Sequence, residues 1–394
     1  MLNRRNWRYF DYWLLIAIIA ITAGGVAMIY SAARNDSEIA RTPVDQTITA
    51  LAGLLLLLVL ALIDYSLFRS FTAVLYLGTL VALVLVLVPG IGVVQNGAQR
   101  WFRFAGFDVQ PAELGKLTLG LSMAGFISSR EGKGGYLKTV ILSLLLITPC
   151  VGLILAQPNL SSAIIILFMW LAMVFVGGLK NNHAAVMSAV GLTMLVLVVL
   201  LHYRVQDLCL RPVLDRATGK LIECKGIIPA YQLQRVAILF NGDTPDPDGN
   251  DYQSRQALTA LGAGGITGQG FGLGGQTQGR FLPARHTDFI FSVIGEELGF
   301  VGCLAFISGL LFVIIRTLAA AWKSHDTYGR LLCVSVAAVF FLQTYTNIGM
   351  QVQLLPVTGV VLPFVSYGRS NLIAQLVAIG LVQSVAMRHK RLQF

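Results

Sequence analysis

The chain has 394 residues, 56% of them hydrophobic and only 12% charged, with a mean hydropathy of +0.72. A soluble domain carries about 25% charged residues, so this composition excludes a soluble globular protein and describes one that crosses a membrane several times. The net charge of +10 does not mark nucleic-acid binding, because Lys and Arg fall in short clusters between apolar runs, as they do in cytoplasmic loops.

The first element follows Arg4, Arg5 and Arg8 and covers 12–30. It is long, and no small-x-small cleavage site closes it, so it reads as an uncleaved span rather than a signal peptide. Further apolar runs lie at 48–64, 71–89, 112–128, 138–156, 160–178, 184–202, 289–316, 328–350 and 364–387. The pattern predicts an all-α integral membrane protein of about ten transmembrane helices, each near the roughly 20 residues that cross ~30 Å of hydrocarbon. The whole of 1–394 forms one polytopic domain with both termini cytoplasmic. Arg69, Arg130, Lys133, Lys138, Lys180, Arg316, Lys323 and Arg330 fall in or beside loops on the same side, and Arg388 to Arg391 repeat the basic character of the N-terminus.

Two loops on the opposite side carry the polar chemistry. The first, 90–111, contains Arg100, Trp101 and Arg103, which suit an interfacial anchor or a contact with lipid phosphate. The second, 203–288, is one long extracellular loop, too long for a plain connector. Its part at 204–228 reads as a small hairpin between Cys209 and Cys224. An oxidising compartment permits a disulfide there, with two free thiols as the alternative. Cys150, Cys303 and Cys333 sit in apolar runs as packing residues. The metal stays unknown, since no CxxC or His/Cys cluster is present.

The end of that loop, Arg285-His-Thr-Asp288, opens an apolar run that buries Glu296 and Glu297. Carboxylates in lipid are costly and mark function. Asp288 is the candidate catalyst. The competing reading is an acidic residue in the first helical turn, with Thr287 as its cap. Cationic Arg280 and Arg285, nearby His286 and the Gly-rich stretch 262–275 suit a phosphate. Glu113 and Lys116 share one helix face and read as an intramembrane pair or network. Of Glu296 and Glu297, one joins an interior hydrogen-bond network and the other lines a polar cavity. Three further matches are decoys. Gly270, Gly272 and Gly275 form GxGxxG without a preceding strand. Asp246, Asp248 and Asn250 hint at a calcium loop but lack its glycine and its distal glutamate. Leu355-Pro-Val-Thr-Gly359 matches a sorting signal, but in a many-span chain it marks a re-entrant turn before the last helix.

Several stretches together resemble the SEDS family of RodA and FtsW. They include Gly97-Ala-Gln-Arg-Trp101, Gln110-Pro-Ala-Glu-Leu-Gly-Lys116, Gln157-Pro-Asn159, Tyr231-Gln-Leu-Gln-Arg235, His286-Thr-Asp-Phe-Ile-Phe291, Gly295-Glu-Glu-Leu-Gly299, Asn347-Ile-Gly-Met350 and Pro363-Phe-Val-Ser-Tyr-Gly368. Gly274-Gly-Gln-Thr-Gln278 looks more like RodA, for elongation and cell shape, than FtsW, for division. The resemblance implies a ten-helix glycosyltransferase of the bacterial cytoplasmic membrane. It would polymerise lipid II into peptidoglycan glycan strands on the outer face, with a Mg²⁺ or Mn²⁺ ion and a class B penicillin-binding transpeptidase as partner. The family's catalytic aspartate falls on Asp288, its outer-loop tryptophan on Trp101, and its acid–lysine pair on Glu113 and Lys116. Three positions depart from the family pattern: Asn159 for Asp, Ala284 for Glu, and Arg369 with Asn371 in place of Gly and Ser. They add positive charge near the expected site, which would tighten diphosphate binding or else signal an altered substrate or weakened activity.

The expected reaction is inverting transfer, with Asp288 as general base on the acceptor hydroxyl. Arg100, Arg235, Arg280 and Arg285 are candidates to steady the leaving diphosphate. Two other classes remain open: a lipid II flippase using Glu113, Lys116, Glu296 and Glu297 as a polar path, or a non-catalytic scaffold that activates the transpeptidase.

Overall fold

The computed structural model describes residues 7–95, 98–104, 107–131, 136–178 and 250–388. The expected seventh span at 184–202, the 204–228 hairpin with Cys209 and Cys224, and Arg235 lie outside the described residues.

Helices α1 (Tyr12–Ala33) and α2 (Thr42–Leu62) form the first hairpin, followed by short α3 (Ser66–Ser70) and α4 (Thr72–Leu85). Then come α5 (Pro111–Ser129), α6 (Tyr136–Ala156) and α7 (Leu160–Val176). After the undescribed segment, α8 (Asn250–Ala263) and short α9 (Gly275–Gln278) lead to α10 (Ile290–Lys323), α11 (Thr327–Gln351) and α12 (Arg369–Met387). Six of these are long and apolar enough to cross a membrane: α1, α2, α6, α10, α11 and α12. Local chemistry sets several helix starts. Asp11 accepts from Leu14 N at 3.0 Å and Asn159 from Ser162 N at 3.2 Å, while Pro43 and Pro111 occupy first turns, where a missing N–H costs nothing.

The centre of the bundle is α5, α11 and α12, with α2 packed along α12 and α1 along α10. Peripheral faces of α2 and α4 expose Leu51, Leu55, Val74, Leu77 and Val81, as lipid-facing helices do. At the end away from Asp288, Arg316 pairs with Asp11 at 2.6 Å, and Tyr65 donates to Asp326 at 2.5 Å.

Two stretches read from sequence as loop carry secondary structure. The 90–111 loop is an antiparallel sheet of β1 (Val93–Gln95), β2 (Ala98–Phe104) and β3 (Phe107–Val109), in that order. Short runs of Val, Trp and Phe between glycines are strand chemistry, but each is too short to show a period. The second stretch is α8, read from sequence as loop. Its low hydropathy hid it from a search for spans, yet Ala257 and Ala260 are fully buried and it packs on α10.

Candidate active site

Two non-helical segments meet at the site. The first, 279–289, precedes α10. The Ala284 carbonyl accepts from Thr287 N and Asp288 N at 3.1 Å and Phe289 N at 3.3 Å, winding the chain into a knot of turns. Fully buried Leu282 and Phe289 pin it to the bundle. Asp288 is half-buried and lies just before the helix instead of in its first turn. Thr287 does not cap α10; its hydroxyl donates to the Ala284 carbonyl at 3.2 Å.

The second segment, 352–368, joins α11 to α12 and turns back into the bundle, burying Val357, Val360, Leu362, Phe364 and Val365. This is the re-entrant turn expected at Leu355–Gly359. Tyr367 N donates to the His286 carbonyl at 2.9 Å, and the two rings lie 5.6 Å apart. Gly359 takes a left-handed φ of 66°, and a methyl group there would stand 3.6 Å from Asp288 Oδ2. The Asp288 carboxylate therefore faces the backbone of the re-entrant segment. Arg280 and Ala284 in the first segment, and Gln353 and Phe364 in the second, also take left-handed backbone. Such strain gathers where surrounding structure enforces a shape.

The cations are more committed than their sequence suggests. Arg285 is buried; its Nε donates to the Ala32 carbonyl at 2.8 Å and its Nη2 to Asp36 Oδ2 at 2.7 Å. Arg280 donates to the Asn35 carbonyl and lies 4.0 Å from Asp36. Burial pushes the Asp36 carboxyl up, but the Arg285 hydrogen bond, the Glu38 N–H and the two arginine charges outweigh it and hold it below the usual value. Burial, then the Arg285 charge, holds His286 below the usual imidazole range against the pull of Asp36. Both effects favour the neutral imidazole. Asp36 was missed in the sequence because a lone loop aspartate has no periodicity to mark it.

Glu296 and Glu297 are both buried and point to different partners. The Glu296 carboxylate accepts from Gln276 N at 2.6 Å, Thr277 N at 3.0 Å and Thr277 Oγ at 2.6 Å, holding α9. Glu297 accepts from Ser31 Oγ at 2.6 Å and Gln278 Nε2 at 3.4 Å, tying α10 to α1. Gly299, at φ 66°, breaks α10 here. The Gly-rich loop fills the break: Gln269 N and Gly270 N donate to the Glu296 and Glu297 carbonyls, and Phe300 N and Val301 N donate to Gly265 and Ile266. Both glutamates thus hydrogen-bond at this junction, Glu296 through both carboxylate oxygens and Glu297 through Oε1.

Arg100 donates to the carbonyls of Gln157, at 2.8 Å, and Pro158, bracing the turn between α6 and α7. That turn reaches the site through Ser161, whose hydroxyl donates to the Thr358 carbonyl at 2.8 Å. Trp101, half-buried, sits on β2 opposite Val93. Glu113 and Lys116 form a buried pair at 2.7 Å. They line a cavity of about 30 Å³ with Gln343, Asn371 and Gln375, room for roughly two waters. Among the described residues no three His, Cys, Asp or Glu side chains gather to hold a metal ion.

The family of FtsW, RodA and SpoVE cell cycle proteins matches residues 10–391. The chain belongs to this family. It is 34% identical to "Probable peptidoglycan glycosyltransferase FtsW" of Trichlorobacter lovleyi, over 96% of this chain and 93% of that protein. It is 32% identical to "Peptidoglycan glycosyltransferase MrdB" of Escherichia coli K12, over 98% and 95%. Among solved structures, the Thermus thermophilus rod shape determining protein RodA superposes with a TM-score of 0.68 at 29% identity, covering 98% of this chain and 99% of that one. A chain from a structure described as "Structural coordination of polymerization and crosslinking by a peptidoglycan synthase complex" gives 0.76 at 30% identity, covering 96% and 98%.

Proposed function

We propose that this chain is a membrane peptidoglycan glycosyltransferase in which Asp288 removes the proton from the acceptor hydroxyl. The observation that carries this reading is the half-buried Asp288 carboxylate facing Gly359 at the junction of two braced, non-helical segments. A base of fixed position lowers the barrier to transfer by holding the reacting atoms in line. The substrate would be lipid II, with the growing glycan leaving its undecaprenyl diphosphate by inversion. Arg8, Arg69, Arg130, Lys138, Arg316 and Arg330 flank helix ends away from Asp288, and basic residues favour the cytoplasm. That distribution supports an active site on the outer face of the cytoplasmic membrane.

Diphosphate binding falls to fewer arginines than the sequence offers. Arg285 is spent on Ala32 and Asp36, and Arg100 on the 157–158 turn. Arg280, with a side chain 53% exposed, keeps access to solvent. The four intramembrane charges do not form one path: Glu113 and Lys116 pair with each other, while Glu296 and Glu297 hold the α10 break. This separation favours an enzyme over a transporter. Elongation is the role supported by Gly274 to Gln278, and the synthase complex supports a crosslinking partner such as a class B transpeptidase.

The test supplies labelled lipid II and Mn²⁺ to the purified chain with its transpeptidase. Polymer from the native chain, and polymerisation about 100- to 10,000-fold slower from Asp288→Asn, is the expected result. Equal polymer from both removes Asp288 as the base. Chelation in the same assay tests the Mg²⁺ or Mn²⁺ requirement.

A further inference from the structure

Two amide side chains on the last turns of α11, Asn347 and Gln351, are completely buried and touch both segments of the site. Asn347 Nδ2 donates to the Asp288 carbonyl at 2.9 Å and to the Val360 carbonyl at 2.7 Å. Gln351 Nε2 donates to the same Asp288 carbonyl at 3.2 Å and to Asn347 Oδ1 at 2.7 Å. Gln351 Oε1 in turn accepts from Ser292 N at 2.6 Å and Ser292 Oγ at 2.8 Å, in the first turn of α10. One small network therefore holds Asp288, the start of α10, and the residue after Gly359.

We propose that Asn347 and Gln351 are positioning residues that set the Asp288 carboxylate against the re-entrant segment. The pattern fixes the amide orientations. Asn347 must aim its nitrogen at two carbonyls, because its oxygen already accepts from Gln351, and a flipped amide would oppose oxygen to oxygen. The Asp288 backbone is then held on both sides, its N–H by Ala284 and its carbonyl by the two amides. Val360, bonded by the same Asn347 nitrogen, adjoins Gly359, which the carboxylate faces. The distance between base and re-entrant backbone is thus set through a single side chain. The hydrogen bonds of both amides run to the Asp288 carbonyl, so the pair acts on where the base sits.

This inference rests on Asp288 as the base, and the experiment separates the two claims. Steady-state polymerisation of labelled lipid II is measured for the full-length chain with its transpeptidase, native and as Asn347→Ala, Gln351→Met, Asp288→Asn and Asn347→Ala/Asp288→Asn. A misplacement near 1 Å costs up to about 100-fold in rate. The expected result is a roughly 10- to 100-fold fall in kcat for each amide variant, with KM within about twofold and the acidic limb of the pH profile unmoved. Residues acting through one group lose activity non-additively, so Asn347→Ala should cost nothing further on the Asp288→Asn background. Native kcat in both amide variants overturns the positioning role, as does an additive loss in the double variant. A shift of the acidic limb overturns it too, since the amides would then be tuning acidity. Undiminished activity in Asp288→Asn overturns the base itself, a different and separately visible failure. If Asn347→Ala does not fold, Gln351→Met carries the same comparison by itself.

Discussion

Arg285 and Arg280 show how one residue type divides into two roles by burial. Arg285 is buried and hydrogen-bonded to Ala32 and Asp36, whereas the Arg280 side chain is 53% exposed. Charged hydrogen bonds stabilise by about 1.5–3 kcal/mol, and exposed pairs by under about 1 kcal/mol. Arg285→Ala should therefore lower stability by about 2 kcal/mol and Arg280→Ala by less than about 1 kcal/mol. Thermal unfolding in detergent checks the order. The pH dependence has a fixed sign. Asp36 is held below its ordinary 3.8 in the fold, so its contribution is present above pH 3.8 and is lost as pH falls through the lower folded value. The deficit of Arg285→Ala should therefore be full at pH 7 and shrink below pH 3.8. A deficit that stays constant with pH would show that Arg285 acts through Ala32 alone.

The element that decides the site's shape is the break in α10. A helix interrupted inside a bundle must find partners for its freed backbone groups, and the Gly-rich loop supplies them. This demands close approach. A side chain on Gly264 would overlap the Gly295 carbonyl, and one on Gly268, at φ 81°, the Glu297 carbonyl. Gly262, still within α8, has open space around it. Gly264→Ala should destabilise by more than about 2 kcal/mol through forced separation of the two elements, while Gly262→Ala should stabilise by about 0.5–1 kcal/mol through helix propensity. Unfolding midpoints of the two variants give the test, and similar values would mean the loop does not pack into the break in solution. The GxGxxG coincidence has a plain explanation here: Gly270 and Gly272 take left-handed backbone, at φ 104° and 73°, in the loop that fills the break.

Across the whole molecule, the polar centre lies where α5, α11 and α12 meet. Glu113 and Lys116 neutralise each other there at 2.7 Å, beside Gln343, Asn371 and Gln375. Removing one partner of a buried pair costs about 3–5 kcal/mol, whereas replacing both by apolar groups is often neutral. Glu113→Leu should therefore damage folding severely, and Glu113→Leu/Lys116→Met should recover most of the loss. Chemical denaturation of both variants measures this. A double variant no better than the single one would mean that Lys116 has a partner beyond Glu113.

What the sequence determined by itself follows from short-range rules. Lipid requires about 20 apolar residues per crossing, so the described spans were legible from composition, and Asp288 stood out as a polar residue at the mouth of an apolar run. The sheet at 93–109 and α8 were not legible, because neither carries a long period. The candidate site beyond Asp288 was decided by tertiary structure. Asn347 reaches Asp288 across 59 residues, Arg285 reaches Ala32 across 253, and Ser31 reaches Glu297 across 266. No local pattern encodes which arginine is occupied or which amide holds a carbonyl. In a bilayer nearly every buried polar group must find a protein partner, and the folded bundle alone brings such partners within hydrogen-bond reach.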